Sequence, residues 1–131
     1  MAKMLLLDVQ KQEVREVEAN GVDDYYKLLN CDTIDIVTRE VVSFNKIHKE
    51  YDIICDDNGL LKDNIIISAV DVKDMSVQLV GNLLVCNFDS NGNEKSLSGY
   101  DIELLKNSIL DIVSFDENFK PKTMKVLKLW M

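Results

Sequence analysis

Carboxylates are the most frequent reactive side chains in this 131-residue chain, which has 23 acidic residues, 15 basic residues and a net charge of −8. Two carboxylates held close together can act as general acid and base. The candidates are Asp32, Asp35, Asp52 and Asp56. Asp35 and Asp52 fall in adjacent predicted strands, where they can be neighbours on a polar face. The sequence gives no apolar pocket around them, so a solvated sheet face is favoured over a catalytic pair.

Histidine and cysteine chemistry is poorly supported. The single histidine, His48, lies in a charged stretch with no evident nucleophile beside it, which favours a solvated loop residue. The three cysteines, Cys31, Cys55 and Cys86, are widely spaced and match no zinc-binding pattern. Buried free thiols in a reducing cytoplasm are the simplest interpretation. We therefore predict neither a metal nor a cofactor.

One turn resembles the start of a calcium-binding loop. Asp89, Asn91 and Asn93 match its first three oxygen ligands. The pattern then fails, because the sixth position is Glu94 instead of glycine and the twelfth is Tyr100 instead of glutamate. The five glycines are isolated and form no phosphate-binding motif. These exclusions favour a binding protein over an enzyme.

The negative charge bears on the kind of partner. It repels a phosphate backbone, so direct nucleic-acid binding is not expected, and it suits a protein partner with a basic surface. Tyr25 and Tyr26 are adjacent in a predicted helix, so we expect one ring to face inward and the other to face outward. The outward-facing ring can anchor an interface. The predicted partner-binding residues are Tyr26, Asp35, His48, Asp52, Asp56 and Asp57.

The alternative hypothesis is a small-molecule pocket that sequesters a nucleotide-like ligand. The Gly81-Asn82 joint and the turn at residues 59–61 can both present backbone donors to a ligand. An enzyme ranks third, with Asp35 and Asp52 as the residues to test.

The elements that must position these residues are mostly strands. Apolar and alternating runs, broken by Gly-containing or polar turns, predict six to eight of them. They fall at residues 3–9, 13–18, 33–42, 51–55, 65–70, 83–88, 94–97 and 124–130. The charged run at 13–18 predicts an edge strand. Residues 43–50 fit either a hairpin loop or a helical turn.

Two helices complete the prediction. A short one at residues 22–29 begins with two aspartates and can be closed by Asn30 in the left-handed conformation. A long one at about 99–113 has apolar residues at spacings of three and four. Ser98 can cap it and form a capping box with Asp101.

Together these elements predict an α+β fold. We expect one domain over residues 1–131, with a largely antiparallel curved sheet and one short and one long helix packed on it. No apolar run reaches the length of a membrane span, and the N-terminus does not resemble a signal peptide. These features predict a cytoplasmic protein without membrane contact. Exposed edges and the apolar final strand are compatible with a homodimer.

The chain resembles the family described as domain of unknown function 3846 (DUF3846). The resemblance rests on residues 28–37 and 51–61, Ser68-Ala69, residues 80–85 and the Asn91-Gly92 turn, and it covers most of residues 1–105. It implies uncharacterised proteins of Gram-positive bacteria, their phages and conjugative elements. It supplies no activity and no catalytic residues.

The chain departs from that family in two places. A longer segment at residues 41–50 precedes Tyr51, and residues 122–131 form a distinct tail. Both departures are candidates for contact with a particular partner. If the protein is carried by a phage, the expected target is a host nuclease or defence protein with a basic surface, which the acidic side chains would engage as mimics of nucleic-acid phosphates.

Overall fold

A computed structural model describes residues 1–61, 65–115 and 117–131. Those residues form ten strands, two helices and one turn of 3-10 helix at Gly59–Leu61. The strands are β1 (Ala2–Asp8), β2 (Glu13–Ala19), β3 (Ile34–Val42), β4 (His48–Asp56), β5 (Ile67–Asp71), β6 (Val77–Val80), β7 (Leu83–Phe88), β8 (Glu94–Lys95), β9 (Ile109–Phe115) and β10 (Pro121–Trp130). The helices are α1 (Val22–Leu29) and α2 (Gly99–Lys106).

The strands form one mostly antiparallel sheet in the order β2-β1-β7-β4-β3-β10-β5-β6, with β8 added to β7 and β9 to β10. Only Gly81 and Asn82 separate β6 from β7, although the two strands stand far apart in this order. The sheet must therefore curve until the end of β6 meets the start of β7. The predicted α+β class is confirmed, but the predicted number of strands is too low.

Side chains alternate between the two faces along every strand, so both faces of the sheet carry apolar residues. One helix covers each face. Leu5, Ile53 and Leu83 pack with Leu105 of α2 in the larger apolar cluster. The opposite face carries a smaller cluster that includes Tyr25 of α1. No helix in the described residues is long and apolar enough to cross a membrane.

The predicted long helix is wrong, whereas its start is correct. Ser98 caps α2 and forms the capping box with Asp101. The helix ends at Lys106, so α1 and α2 both have eight residues. The apolar residues after it form β9, which pairs with β10 over its whole length. Branched side chains such as Ile109 and Ile112 suit a strand at least as well as a helix, and pairing decides between the two.

Other predicted elements have different bounds in the structure. The predicted strand at 33–42 is the single strand β3, which begins at Ile34, and the segment at 43–50 is a hairpin turn followed by the start of β4. The predicted strand at 65–70 begins later, at Ile67, and Ile65 is half exposed. The helix at 22–29 and its left-handed closure at Asn30 are confirmed. The predicted edge strand is β2, at one end of the sheet.

Candidate functional site

An acidic cleft lies between the end of β4 and β6, where the curved sheet brings two distant segments together. Its volume is about 230 Å³. Gly59 allows this approach, because a Cβ atom there would lie 3.1 Å from Cγ2 of Val80, closer than most such contacts. The floor of the acidic cleft is apolar and includes the buried Cys55 and the half-buried Leu79.

Three predicted partner-binding residues meet at this cleft. Asp35 comes from β3, whereas Asp56 and Asp57 follow one another at the end of β4. We call these three side chains the rim carboxylates. Asp35 and Asp57 are exposed and Asp56 is half-buried. Three carboxylates therefore lie together on the edge of an apolar depression.

Local hydrogen bonds fix the backbone that presents the rim carboxylates. The amide of Asn58 donates to Oδ1 of Asp56 at 2.9 Å. The side-chain amide of Asn58 donates to Oγ1 of Thr33 at 2.8 Å. The amide of Asp57 donates to the carbonyl of Thr33 at 3.3 Å. The turn after β4 is thereby tied to the segment before β3, which explains why these carboxylates stay close to Asp35.

Exposed leucines extend the acidic cleft outward. Leu60 and Leu61 are 72% and 83% exposed, and Val77 on the opposite wall is 50% exposed. Large apolar side chains beside charged ones mark surfaces that bind proteins more often than bare acidic patches do. The sequence predicts only backbone donors for the turn at Gly59–Leu61, and the exposed leucine side chains are a feature that this prediction missed.

The pKa of the Cys55 thiol reflects its burial and the charge of the rim carboxylates. Burial raises the pKa of this thiol to about 11, and the negative charges of Asp35, Asp56 and Asp57 add to the effect. Burial likewise raises the pKa of the Cys86 thiol to about 12. A nucleophilic cysteine needs a thiolate, so neither residue suits covalent chemistry at neutral pH.

The predicted pairing of Asp35 with Asp52 is wrong. Asp35 lies opposite Cys55 in the β3–β4 ladder, whereas Asp52 lies opposite Thr38. Because side chains alternate, the two aspartates are on opposite faces of the sheet. Asp52 instead accepts hydrogen bonds from Oγ1 of Thr38 at 2.8 Å and from the amide of Phe88 at 3.0 Å, and so links three neighbouring strands.

The other predicted partner-binding residues lie away from the acidic cleft. His48 begins β4, and a nine-residue strand places it about 25 Å from Asp56. Its Nδ1 lies 2.8 Å from Oε1 of Glu40, and its ring packs edge-on against Trp130 at 5.1 Å. Tyr26 is half-buried on α1 and does not line the acidic cleft.

A second cavity of about 230 Å³ adjoins the acidic cleft, and Asp56 and Gly59 line both. Gly81 and Asn82 also line it, so the two segments that suggested a small-molecule pocket do come together. The side chain of Asn82 is already engaged, since it accepts from the amide of Val9 at 2.9 Å and donates to the carbonyl of Leu28 at 3.4 Å.

Asp101 is only 5% exposed, and its carboxylate accepts hydrogen bonds from Lys49, Tyr51 and Ser98. Its Oδ1 accepts from Nζ of Lys49 at 2.5 Å and from the hydroxyl of Tyr51 at 2.6 Å. Its Oδ2 accepts from the hydroxyl of Ser98 at 2.9 Å. Burial alone would raise the pKa of Asp101, but these bonds outweigh it and lower the pKa to about 2. This group fastens α2 to β4.

Glu94 of β8 likewise fastens α1 to the sheet. It accepts hydrogen bonds from the hydroxyl of Tyr25 and, at 3.1 Å, from the amide of Gly21. Burial and this carboxylate raise the pKa of Tyr25. We call Asp101 and Glu94 the anchor carboxylates, because each ties one helix to the sheet through a tyrosine hydroxyl. The sequence showed Asp101 as a capping residue but gave no sign of its contact with Tyr51, 50 residues away.

The described residues contain no group of three or more histidine, cysteine, aspartate or glutamate side chains that could hold a metal ion.

The chain is thus an α+β protein with an acidic cleft whose floor is apolar. The chain belongs to the family described as Domain of unknown function (DUF3846), whose model matches residues 2–110. All of the acidic cleft lies inside that match, whereas β10 lies beyond it. The family resemblance drawn from the sequence is thereby confirmed. No curated protein and no solved structure matches the chain.

Proposed function

We propose that this chain is a non-enzymatic binding protein whose acidic cleft receives a basic side chain of a protein partner. The observation that carries the proposal is the meeting of Asp35, Asp56 and Asp57 at one apolar-floored depression. Lysine and arginine combine a cationic head with a hydrocarbon stem, so they match both parts of this surface. The exposed Leu60 and Leu61 supply apolar contact around the buried charge.

The net charge of −8 adds a long-range effect to this local one. An acidic protein attracts a basic partner before contact, which raises the association rate and makes it sensitive to salt. Within the proposal, the partner is a host nuclease or defence protein with a basic surface, and the chain is a cytoplasmic product of a phage or mobile element of Gram-positive bacteria. The rim carboxylates would stand in for the phosphates that such a partner binds.

Affinity purification from an extract of the native host tests this proposal. The bait is the whole chain, either unchanged or with Asp35→Asn, Asp56→Asn and Asp57→Asn combined. The matched control combines Glu13→Gln, Glu16→Gln and Glu18→Gln on β2, and so removes the same number of charges from another surface. Both variants keep side-chain size, so differences in recovery report charge at one place.

We expect the unchanged chain and the β2 control to retain a basic protein. The rim variant should bind that protein at least tenfold more weakly, which corresponds to a loss of about 1.4 kcal/mol in binding free energy. Equal recovery by the two variants would show that the acidic cleft is not the binding surface. Retention of no protein by the unchanged chain at low salt would also count against the proposal.

Small-molecule sequestration is the second candidate, because Gly59, Gly81 and Asn82 line one cavity. That cavity of about 230 Å³ lies below the usual range for sites of drug-sized ligands. The neighbouring rim carboxylates also disfavour phosphate. A thermal-shift screen against nucleotides separates the candidates, since a tight ligand raises the melting temperature by mass action. Absence of any shift would remove this second candidate.

A further inference from the structure

Strand β9 forms an edge of the sheet, because within the described residues its strand partner is β10 alone. Its sequence is ILDIVSF, with Asp111 as the one charged residue. Val113 and Phe115 are 58% and 66% exposed. A long apolar edge strand invites pairing with another strand, and proteins usually block it with charge, proline or a bulge.

Two hydrogen bonds of β10 show which backbone groups of β9 face outward. The amide of Lys128 donates to the carbonyl of Ser108, towards the β9 side, at 2.9 Å. The amide of Lys125 points the other way and donates to the side chain of Gln12. Backbone direction alternates along a strand, and Lys125 lies opposite Asp111. The outward-facing residues of β9 are therefore Ile109, Asp111, Val113 and Phe115.

We propose that β9 is the self-association surface of this protein and pairs antiparallel with β9 of a second copy. A two-fold axis at Ile112 aligns all seven residues of the strand. The outward-facing residues then lie opposite one another, Val113 against Asp111 and Phe115 against Ile109. This register forms about eight backbone hydrogen bonds and places no charge opposite a like charge.

The charge distribution favours this surface over others for two copies of an acidic chain. Residues 109–131 contain four lysines and three acidic residues, a balance of +1 within a total of −8. The β9–β10 hairpin is thus the part of the surface where two copies can approach without strong repulsion. Strand β2, the edge at the end of the sheet, carries Glu13, Arg15, Glu16 and Glu18 and is protected against such pairing.

Proline substitution tests the pairing without disturbing the hairpin. The amide of Val113 faces the free edge, so Val113→Pro removes a donor that β10 does not use. The matched control is Glu16→Pro on β2. The amide of Lys3 donates away from β2 to the hydroxyl of Ser96, and the alternation makes the amide of Glu16 outward-facing as well.

Analytical ultracentrifugation over about a hundredfold range of concentration gives the readout. We expect the unchanged chain and Glu16→Pro to show the same concentration-dependent dimer, and Val113→Pro to weaken dimerisation at least tenfold. Circular dichroism confirms that each variant is folded. A chain that stays monomeric throughout, or a dimer that survives Val113→Pro, would overturn the proposal.

A cysteine at the two-fold axis tests the register independently. Ile112 of each copy would occupy a non-hydrogen-bonded pair, where the Cα atoms lie about 4.5 Å apart, within the range of a disulfide. Ile112→Cys should therefore form a covalent dimer under mild oxidation, whereas Ser114→Cys, which would face Leu110, should form little. Equal crosslinking of the two variants, or crosslinking of the unchanged chain through Cys31, would contradict this register.

Discussion

Asp101 and Asp57 have the same side chain in contrasting surroundings. Asp101 is buried and accepts hydrogen bonds from Lys49, Tyr51 and Ser98. Asp57 is exposed beside an apolar depression, next to Asp56. The comparison extends to the anchor and rim carboxylates as groups. Acidic residues stabilise this fold where donors surround them, as at Asp101, whereas Asp57 keeps its carboxylate exposed at the edge of the acidic cleft.

The largest expected effect comes from Asp101→Asn. The substitution leaves the ammonium group of Lys49 without its carboxylate and weakens the capping box of α2. We expect the free energy of unfolding to fall by about 2 kcal/mol, because the carboxylate of Asp101 is buried whereas the Lys49 side chain is 42% exposed and solvent screens part of the ion pair. Urea unfolding measures it. The control is Asp57→Asn, which should change stability by less than about 0.5 kcal/mol. Equal losses in the two variants would break the distinction between anchor and rim.

The pH dependence of stability follows from the same residue. The folded pKa of Asp101 is about 2, below the value near 3.8 of an unperturbed aspartate. Its contribution is therefore complete above about pH 4 and is lost as the pH falls through 2. The expected loss is about 2 to 3 kcal/mol. Between pH 5 and pH 2, the urea midpoint of the Asp101→Asn variant should therefore depend less on pH than that of the unchanged chain. An equally steep decline in the variant would contradict it.

A smaller effect is expected from Tyr25→Phe. The variant removes the hydroxyl that donates to Glu94, while the amide of Gly21 still donates to that carboxylate. We expect a loss of about 1.5 kcal/mol, the low end of the range for a hydrogen bond to a charged group, because Glu94 is only half-buried. Differential scanning calorimetry measures it. The control, Tyr26→Phe, lies on the same helix and should leave the melting temperature unchanged.

The rim carboxylates should have a small but specific effect on Cys55. Their charges help to raise the pKa of its thiol to about 11, although burial is the larger cause. Combining Asp35→Asn, Asp56→Asn and Asp57→Asn should therefore lower that pKa. The pH dependence of alkylation, followed by peptide mass spectrometry, reports Cys55 separately from Cys86. If both thiols shift together, the effect is a general loosening of the fold.

Much of the local structure could be predicted from the sequence, because local rules decide it. The left-handed closure at Asn30 and the cap at Ser98 depend on neighbouring residues alone. The end of α2 could not be predicted in this way. The apolar spacing after Lys106 fits a helix and a strand alike, and pairing with β10 settles the choice.

The acidic cleft itself could not be predicted from the sequence, although Asp35, Asp56 and Asp57, which line it, were among the predicted partner-binding residues. Asp56 and Asp57 could be identified from the turn that follows β4. Their position beside Val77 depends on the curvature of the whole sheet, which no short sequence pattern encodes. The separation of Asp35 from Asp52 depends on the register between β3 and β4, and a shift of one residue would have reversed it.

The most direct test of a partner-binding acidic cleft is the salt dependence of affinity for the protein retained from the native host. The dissociation constant is measured at about 50 mM and about 300 mM salt for the unchanged chain, the rim variant and the β2 control. We predict that affinity falls with salt for the unchanged chain and the β2 control. The rim variant should bind weakly at both concentrations, with a shallower dependence. An affinity that does not change with salt, or a rim variant that binds like the unchanged chain, would contradict this account.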